Sequence, residues 1–553
     1  MTAVADTDTR VAASGRTGSR DLAGTRTLLR LALRRDRVMI PVWVLVIGLT
    51  GNSTLSRLKT TYETAADRAK VVSDMNGNGS MRSMLGVAFG DSYGALTAWR
   101  VGVFLAAFAG IMSLLLVIRH TREEEESGRQ EALSAGMVGR RAGLTSALLT
   151  VAIANAALTL LIMATLAGQG GKGAFALGLG VGLTGMAFGG VAALTAQITE
   201  NTRLARGLAA GAVGVAYMLR LIGDAADDAS DGSGNVLVWL SPIGWAEYAR
   251  PFANERWWAL LLLAAFTAVT FGLAYTLAGR RDIGASFLAS RPGPPAAGSS
   301  LQGAYGLAWR LQRGTLLAWV IGIALSAAGL GGVANGADDI IGDSEKNRDI
   351  IERMGGAQNL SDAFLAAMVA VIGVVLTIYA ASAVLRLRTE ETEQRAEPLL
   401  ANAVGRLRWA ASHLVIAYLG PVLVLAVGGL AMGLVYGAAA DDLGGQLPRV
   451  LGASLAQLPA VWVVTSVLVF LFGLLPSYTI PVGWGVVGAV VALGWLGPAL
   501  EVPQGVLDLS PFGHLPNLPG ESVSATPFVV LLLLSAVLTA AGLWGLRRRD
   551  MTS

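Results

Sequence analysis

Apolar runs long enough to cross a bilayer recur from one end of this chain to the other, and no soluble core accommodates that pattern. An α-helix rises about 1.5 Å per residue, so roughly 18 or more apolar residues in succession span the hydrocarbon layer. Twelve such segments can be drawn, near 38–55, 98–118, 142–167, 174–197, 207–223 and 257–279, then 314–333, 362–385, 409–437, 450–475, 479–497 and 525–546. Only 14% of the residues are charged and 53% are hydrophobic, with a mean hydropathy of +0.57; soluble chains carry about 25% charge. The expected fold class is therefore an all-α polytopic membrane protein, because helices satisfy every backbone group inside lipid. With no cysteine, disulfides, thiol catalysis and Cys-ligated metals are excluded. His120, His413 and His514 lie far apart and offer no metal-ligand spacing, and a net charge of +4 gives no argument for a nucleic-acid partner.

The order of segments repeats. Residues 1–23 read as a polar, unstructured cytosolic tail with no apolar leader. TRTLLRLALRRDR (25–37) reads as an amphipathic helix on the inner membrane face, and LAWRLQR (307–313) resembles it. The Pro/Gly/Ser-rich stretch 280–303 is the one convincing boundary. It separates a transmembrane repeat at 24–279 from a second at 304–553. Six spans per half is an even number, so the halves share one orientation and form a parallel repeat. LSPIG (240–244) recurs as LSPFG (509–513), each before the last span of its half, as re-entrant elements or simple loops. Met84 and Gly86 are echoed by Met354 and Gly356. Most Lys and Arg fall on the side of the tails and linker, which places both termini in the cytoplasm of a cell membrane.

The densest charge in the chain also comes twice. RHTREEEESGRQEALSAGMVGRR (119–141) and RLRTEETEQRAEPLLANAVGR (386–406) superpose when slid by 266 positions. Arg122, Glu124, Glu125, Arg129 and Glu131 fall on Arg388, Glu390, Glu391, Arg395 and Glu397, and Arg140 falls on Arg406. On a helix these acids span two turns, with Glu125 and Arg129 at i, i+4 spacing. No histidine or metal partner stands beside the carboxylates, and the segment reads as water-exposed, so catalysis is not expected of them. A solvated loop needs charge but not the same acid in the same place twice. Two copies of a recognition surface for a basic partner account for the register.

The Glu–Glu–x–Gly–x–x–Glu–x–Leu pattern, preceded by Arg122, after the second span of a six-span unit resembles the coupling segment of ABC-2 type exporter permeases. The twelve-span form resembles the fused permeases of actinobacterial polyketide-antibiotic and multidrug exporters. TREEEESGRQEAL fits closely; RTEETEQRAEPLL departs from it, with Gln394 for Gly128 and Pro398 for Ala132, which implies a broken or shorter second helix. The resemblance implies an interfacial helix and a cytoplasmic coupling helix in each half, the latter docking a separate ABC ATPase subunit, two copies in all. ATP and Mg would then belong to the partner, with no cofactor bound by this chain and no enzyme activity of its own. In agreement, no G-x-x-x-x-G-K-[ST] is present; GQGGKGA (168–174) lacks the Ser/Thr, and LGGQ (443–446) is an isolated fragment of an ABC signature.

Along the transport path, no carboxylate is expected inside the twelve spans, which disfavours an ion-driven carrier. A major-facilitator carrier would also favour a G-x-x-x-D-x-x-G-R-[RK] loop that is missing, while a membrane scaffold without transport stays open. Arg100 and Arg220, near outer span ends, either snorkel or meet an anionic group of a substrate. Gln197 and Gln457 either line the path or hydrogen-bond between helices. The expected cargo is a hydrophobic or lipid-like small molecule drawn partly from membrane lipid.

Overall fold

A computed structural model of the chain describes residues 21–550 except 78, 130–137, 227–231, most of 282–302, 335–359, 403 and 497–507. The described residues contain no strand, and twelve helices among them are long and apolar enough to cross a membrane. The first six are Met39–Thr61, Tyr93–Glu126, Ala142–Gln169, Gly171–Ile198, Thr202–Ala226 and Trp257–Ala278. The second six are Ala304–Gly332, Ser361–Thr392, Arg406–Ala439, Leu443–Leu474, Pro476–Gly494 and Ala525–Arg548. The chain divides into two compact units, Met1–Pro292 and Gly293–Ser553, with six spans in each. Residues 1–20 of the expected tail, Glu131, and the echo at Met354 and Gly356 lie outside the described residues.

In both units the same two spans form the centre. The second and fourth are 67% and 72% buried, and the eighth and tenth are each 67% buried, well above their neighbours. The glycines of the fourth span explain its central place. A Cβ at Gly178 would stand 2.7 Å from the carbonyl oxygen of Thr159, and one at Gly182 or Gly185 would collide with Thr159 or Asn155. The third span is thus drawn backbone to backbone against the fourth, the close approach that small residues permit in lipid. Asn155, buried in this contact, donates to Ser113 Oγ on the second span at 2.9 Å.

Three expectations need correction. The first unit has a separate interfacial helix, Thr25–Arg35, but the second does not: Ala304–Ala334 runs through LAWRLQR into the seventh span without a break. The first helix stops because Asp36 caps its end and turns a fully buried carboxylate toward His120 (2.5 Å) and Arg119 (3.3 Å). In the second unit Gln312 reaches His413 at 3.0 Å from within a continuous helix. The tenth span is two helices, Leu443–Leu455 and Leu458–Leu474, since Pro459 lacks the N–H that would continue the ladder past Gln457. Finally, the fifth helix extends to Ala226, which brings Asp224 inside a span, where no carboxylate was expected.

Candidate functional site

The second span runs past Thr121 into the turn Arg122–Glu126, and Gly128, at φ 71°, then reverses the chain. Arg122 points inward from that turn and is 1% exposed. Its Nε donates to the Ala196 carbonyl of the fourth span, and its Nη1 lies 2.6 Å from Glu125 Oε2. Glu125 is held from its other side by Arg281, just past the sixth span. Both ends of that guanidinium fork donate, Nη2 to Oε1 at 2.6 Å and Nη1 to Oε2 at 3.0 Å. Arg281 Nε donates to Gln197 Oε1 at 2.5 Å, and Arg140 donates to the Arg281 carbonyl at 2.5 Å. The second, fourth and sixth spans therefore meet in one buried, bidentate ion pair, the geometry in which an arginine–carboxylate contact is strongest.

The second unit builds the same cluster from its own residues. Arg388 Nη1 lies 3.1 Å from Glu391 Oε2, the i, i+3 relation of Arg122 and Glu125. Arg549, just past the twelfth span, forks onto Glu391 at 2.5 and 2.9 Å. Arg406 donates to the Arg549 carbonyl at 2.6 Å, as Arg140 does to that of Arg281. Across the turn, Arg395 Nε reaches Glu390 Oε2 at 3.3 Å and Arg129 Nε reaches Glu124 Oε2 at 3.7 Å. Even the turn is shared. Gln394 takes φ 58° where Gly128 takes 71°, so the loss of the glycine changes the residue and not the backbone.

These clusters correct the picture of an exposed helix. The helix Arg122–Glu126 is interrupted at Ser127 and Gly128 before Arg129, and the eighth span's helix ends at Thr392 before Arg395, so Glu125 with Arg129 is not a helical pair. Glu125, Glu390 and Glu391 have side chains 6%, 9% and 2% exposed. Glu124, Glu125, Glu390 and Glu391 repeat in register with an arginine of their own unit beside each, a packing reason that the sequence pattern alone did not suggest. Arg129, Arg395 and Glu397 do lie open to solvent, and the helix bearing Glu397 is the four-residue Glu397–Leu400, broken short as Pro398 implies. Arg281 and Arg549 were missed. A signal existed, since Arg280-Arg281-Asp282 and Arg548-Arg549-Asp550 follow the last span of each half.

In the first unit the cluster is tied further outward. Arg35, at the end of the interfacial helix, pairs with Glu124, and Arg206 of the fifth span pairs with Glu123 at 2.9 Å. The backbone N–H groups of Gly139 and Arg141 donate to the carbonyls of Ala23 and Asp21, which brings the start of that helix to the same place.

Of the four residues proposed for a path, the three in the first unit do not come together. Gln197 belongs to the ion-pair cluster just described, at the inner end of the fourth span. Gln457 sits in the break of the tenth span, packed against Gly373. Arg100 is exposed on the second span. Arg220 is 0% exposed at the opposite end of the first unit from the clusters, so it neither snorkels nor stands open to a substrate anion. Its Nε lies 2.7 Å from both Asp224 Oδ2 and Glu247 Oε2, and its Nη1 donates to the carbonyls of Ser83 (2.9 Å) and Met84 (3.3 Å). Glu247 closes the short helix Pro242–Glu247 that begins at Ser241 of the LSPIG motif, and its Oε1 accepts from Val87 N at 3.0 Å. Gly86 must be glycine here: it sits at φ 93°, and a Cβ would collide with the Glu247 carboxylate.

Comparison with known proteins gives two findings. Residues 301–547 match the family model described as the C-terminal domain of the multidrug efflux system permease Rv1217c. Over 533 residues the chain is 44% identical to the multidrug efflux system permease protein Rv1217c of Mycobacterium tuberculosis (strain ATCC 25618 / H37Rv), covering 96% of this chain and 95% of that one.

Proposed function

The chain belongs to the family of the multidrug efflux permease Rv1217c, and from that premise we propose that it is the transmembrane subunit of an ATP-driven exporter. It carries hydrophobic or amphiphilic drug-like compounds out of the cell, across the plasma membrane, with both termini in the cytoplasm. A separate ABC ATPase supplies the ATP and Mg chemistry, two copies docking beneath the two charged turns. The observation that carries this reading is the doubled cluster. A surface meant to receive two like subunits has to be presented twice in the same shape, and Arg281 and Arg549 hold the two turns alike.

The proposed roles divide within each turn according to burial. Glu125 and Glu391 set the turn against the last span of their unit, so motion imposed on the turn is passed to the second, fourth and sixth spans, or to their second-unit counterparts, as one body. Glu126, Arg129, Glu393, Arg395 and Glu397, which are exposed, form the face offered to the ATPase. Arg35 and Arg206 leave Glu124 and Glu123 partly accessible at its edge.

Co-purification of the tagged permease with an ABC ATPase subunit, and efflux in inverted vesicles, test the proposal. Reversing Glu126 and Arg129 together with Glu393 and Arg395 is expected to lose the ATPase and ATP-dependent efflux, with membrane insertion kept. Efflux that runs on a proton gradient with no ATPase bound would overturn it.

A further inference from the structure

The interfacial helix Thr25–Arg35 of the first unit is fastened to the charged stretch at both ends. At its start, the N–H groups of Gly139 and Arg141 donate to the carbonyls of Ala23 and Asp21 at 2.9 and 3.0 Å, and a Cβ on Gly24 would touch Val138. At its end, Arg35 pairs with Glu124, and Asp36 meets His120 at 2.5 Å and Arg119 at 3.3 Å. The helix is therefore a strap that joins residues 119–124 to residues 138–141. Whatever fixes the strap fixes both sides of the charged turn.

The two faces of the strap are unlike. Ala32 and Leu33 turn inward, Leu33 against the core of the unit. The opposite arc is exposed and divided. Arg26, Arg30 and Arg34 recur there at i, i+4 and i+8, in one row, and Leu31, 55% exposed, lies beside the row. Among the described residues, no carboxylate or carbonyl partners these three arginines. Their neighbours differ: Arg35, Arg119, Arg122 and Arg206 each have an acidic partner.

The setting of that row is the edge of the bilayer. The first span begins at Met39, and exposed Val38, Val42 and Val46 continue the apolar surface into it. In a chain that spans a membrane this surface faces lipid, so the strap lies where hydrocarbon gives way to headgroups. There Leu31 reaches the acyl chains, while the long arginine stems hold their guanidinium groups at the level of the phosphates. The planar fork of arginine donors suits phosphate oxygens. The second unit is built differently. Its helix Ala304–Ala334 is unbroken, and near its start it exposes Tyr305 and Trp309 with Arg310 and Arg313.

We propose that Arg26, Arg30 and Arg34 bind the phosphate groups of anionic phospholipid in the leaflet on the side of the charged turns, and that this lipid holds the strap in place. Charge and setting fix the occupant: a row of unpartnered cations, bordered by apolar surface that runs on into a lipid-facing span. A soluble anion makes no use of Leu31, and an acidic protein segment would have to displace the headgroup layer. Lipid thereby orders the charged turn of the first unit alone, since the second has no separate strap. The proposal rests on the efflux reading only for its consequence, the placing of a turn that receives the ATPase. The lipid contact itself needs neither ATP nor the ATPase.

The test uses the purified full-length chain in detergent, without nucleotide or ATPase, titrated with palmitoyl-oleoyl phosphatidylglycerol or with the matching phosphatidylcholine. Native mass spectrometry gives the affinity of the first lipid bound, and hydrogen exchange follows the amides of Gly139 and Arg141. Each basic side chain beside anionic headgroups is worth roughly a factor of five, so the parent should prefer phosphatidylglycerol by more than about tenfold. That lipid should also slow exchange at both amides. Arg26→Gln/Arg30→Gln/Arg34→Gln, all at exposed positions, should lose the preference and the slowing, with phosphatidylcholine binding unchanged. Arg310→Gln/Arg313→Gln should keep both. No preference in the parent, a preference kept by the triple variant, or one lost equally in the second-unit variant overturns the proposal. So does lipid bound with exchange unchanged, which would free the strap from the lipid, or slowing by inorganic phosphate alone, which would assign the row to a soluble anion. Lipid binding as expected alongside failed ATP-driven efflux would sink the transport reading and leave this site standing.

Discussion

The two units agree at one end and part at the other. At the charged turns each builds the same arginine–glutamate–arginine pairing, down to a left-handed residue at the reversal and an arginine capping the carbonyl of the clamp. At the opposite end the first unit buries Arg220, Asp224 and Glu247 together, while the second carries Pro516 where Glu247 stands. Repeated geometry marks what both halves must do alike, and unshared chemistry marks what one half does alone. On the proposed reading, coupling to the ATPase belongs to the first class.

The largest effect expected from breaking this comparison is at the unshared end. Arg220→Leu leaves two buried carboxylates without their cation, a loss of about 3–5 kcal/mol. The folded fraction after solubilisation, followed by fluorescence-detected size exclusion, should fall sharply, and a variant as heat-stable as the parent would remove the lock from the account. Next come the clamps. Arg281→Gln and Arg549→Gln should each cost about 2–3 kcal/mol, because each leaves a buried glutamate short of a bidentate partner. The two costs should match and add within about 0.5 kcal/mol, since the sites belong to separate units. Thermal-shift curves that differ widely between them would break the equivalence. Smallest is the turn. Gly128→Ala should destabilise by about 1 kcal/mol and Gln394→Gly should stabilise by a similar amount, as only glycine takes a left-handed φ without penalty. Equal signs for the two would show that the turns are not alike.

Much of this was legible in the residues. Hydropathy placed all twelve spans, and Gly178, Gly182 and Gly185 recur at the four- and three-residue spacing of one helix face. The register of Glu124 and Glu125 on Glu390 and Glu391 located the repeated cluster, but the expected exposure fails for Glu125, Glu390 and Glu391, which are buried. A glutamate at the end of a span is surrounded by whatever the fold brings there. Here the partners Arg281 and Arg549 are 156 and 158 positions away in sequence. The same distance effect hid the Arg220 cluster, since Glu247 reaches it from a segment that reads as a polar loop. The fused seventh span and the split tenth turn on single residues, Asp36 against Gln312 and Pro459, whose weight depends on tertiary neighbours.

The central claim is that Glu125 and Glu391, held by Arg281 and Arg549, carry the motion of a docked ATPase into the spans. The most direct measurement is ATP-dependent drug efflux by the Arg281→Gln/Arg549→Gln double variant, compared at equal amounts of permease and bound ATPase. The account predicts that the ATPase still co-purifies and hydrolyses ATP while efflux falls more than about tenfold, the scale of losing one buried charged contact from the transmission path. Efflux equal to the parent, with the ATPase bound and both clamps broken, would contradict it.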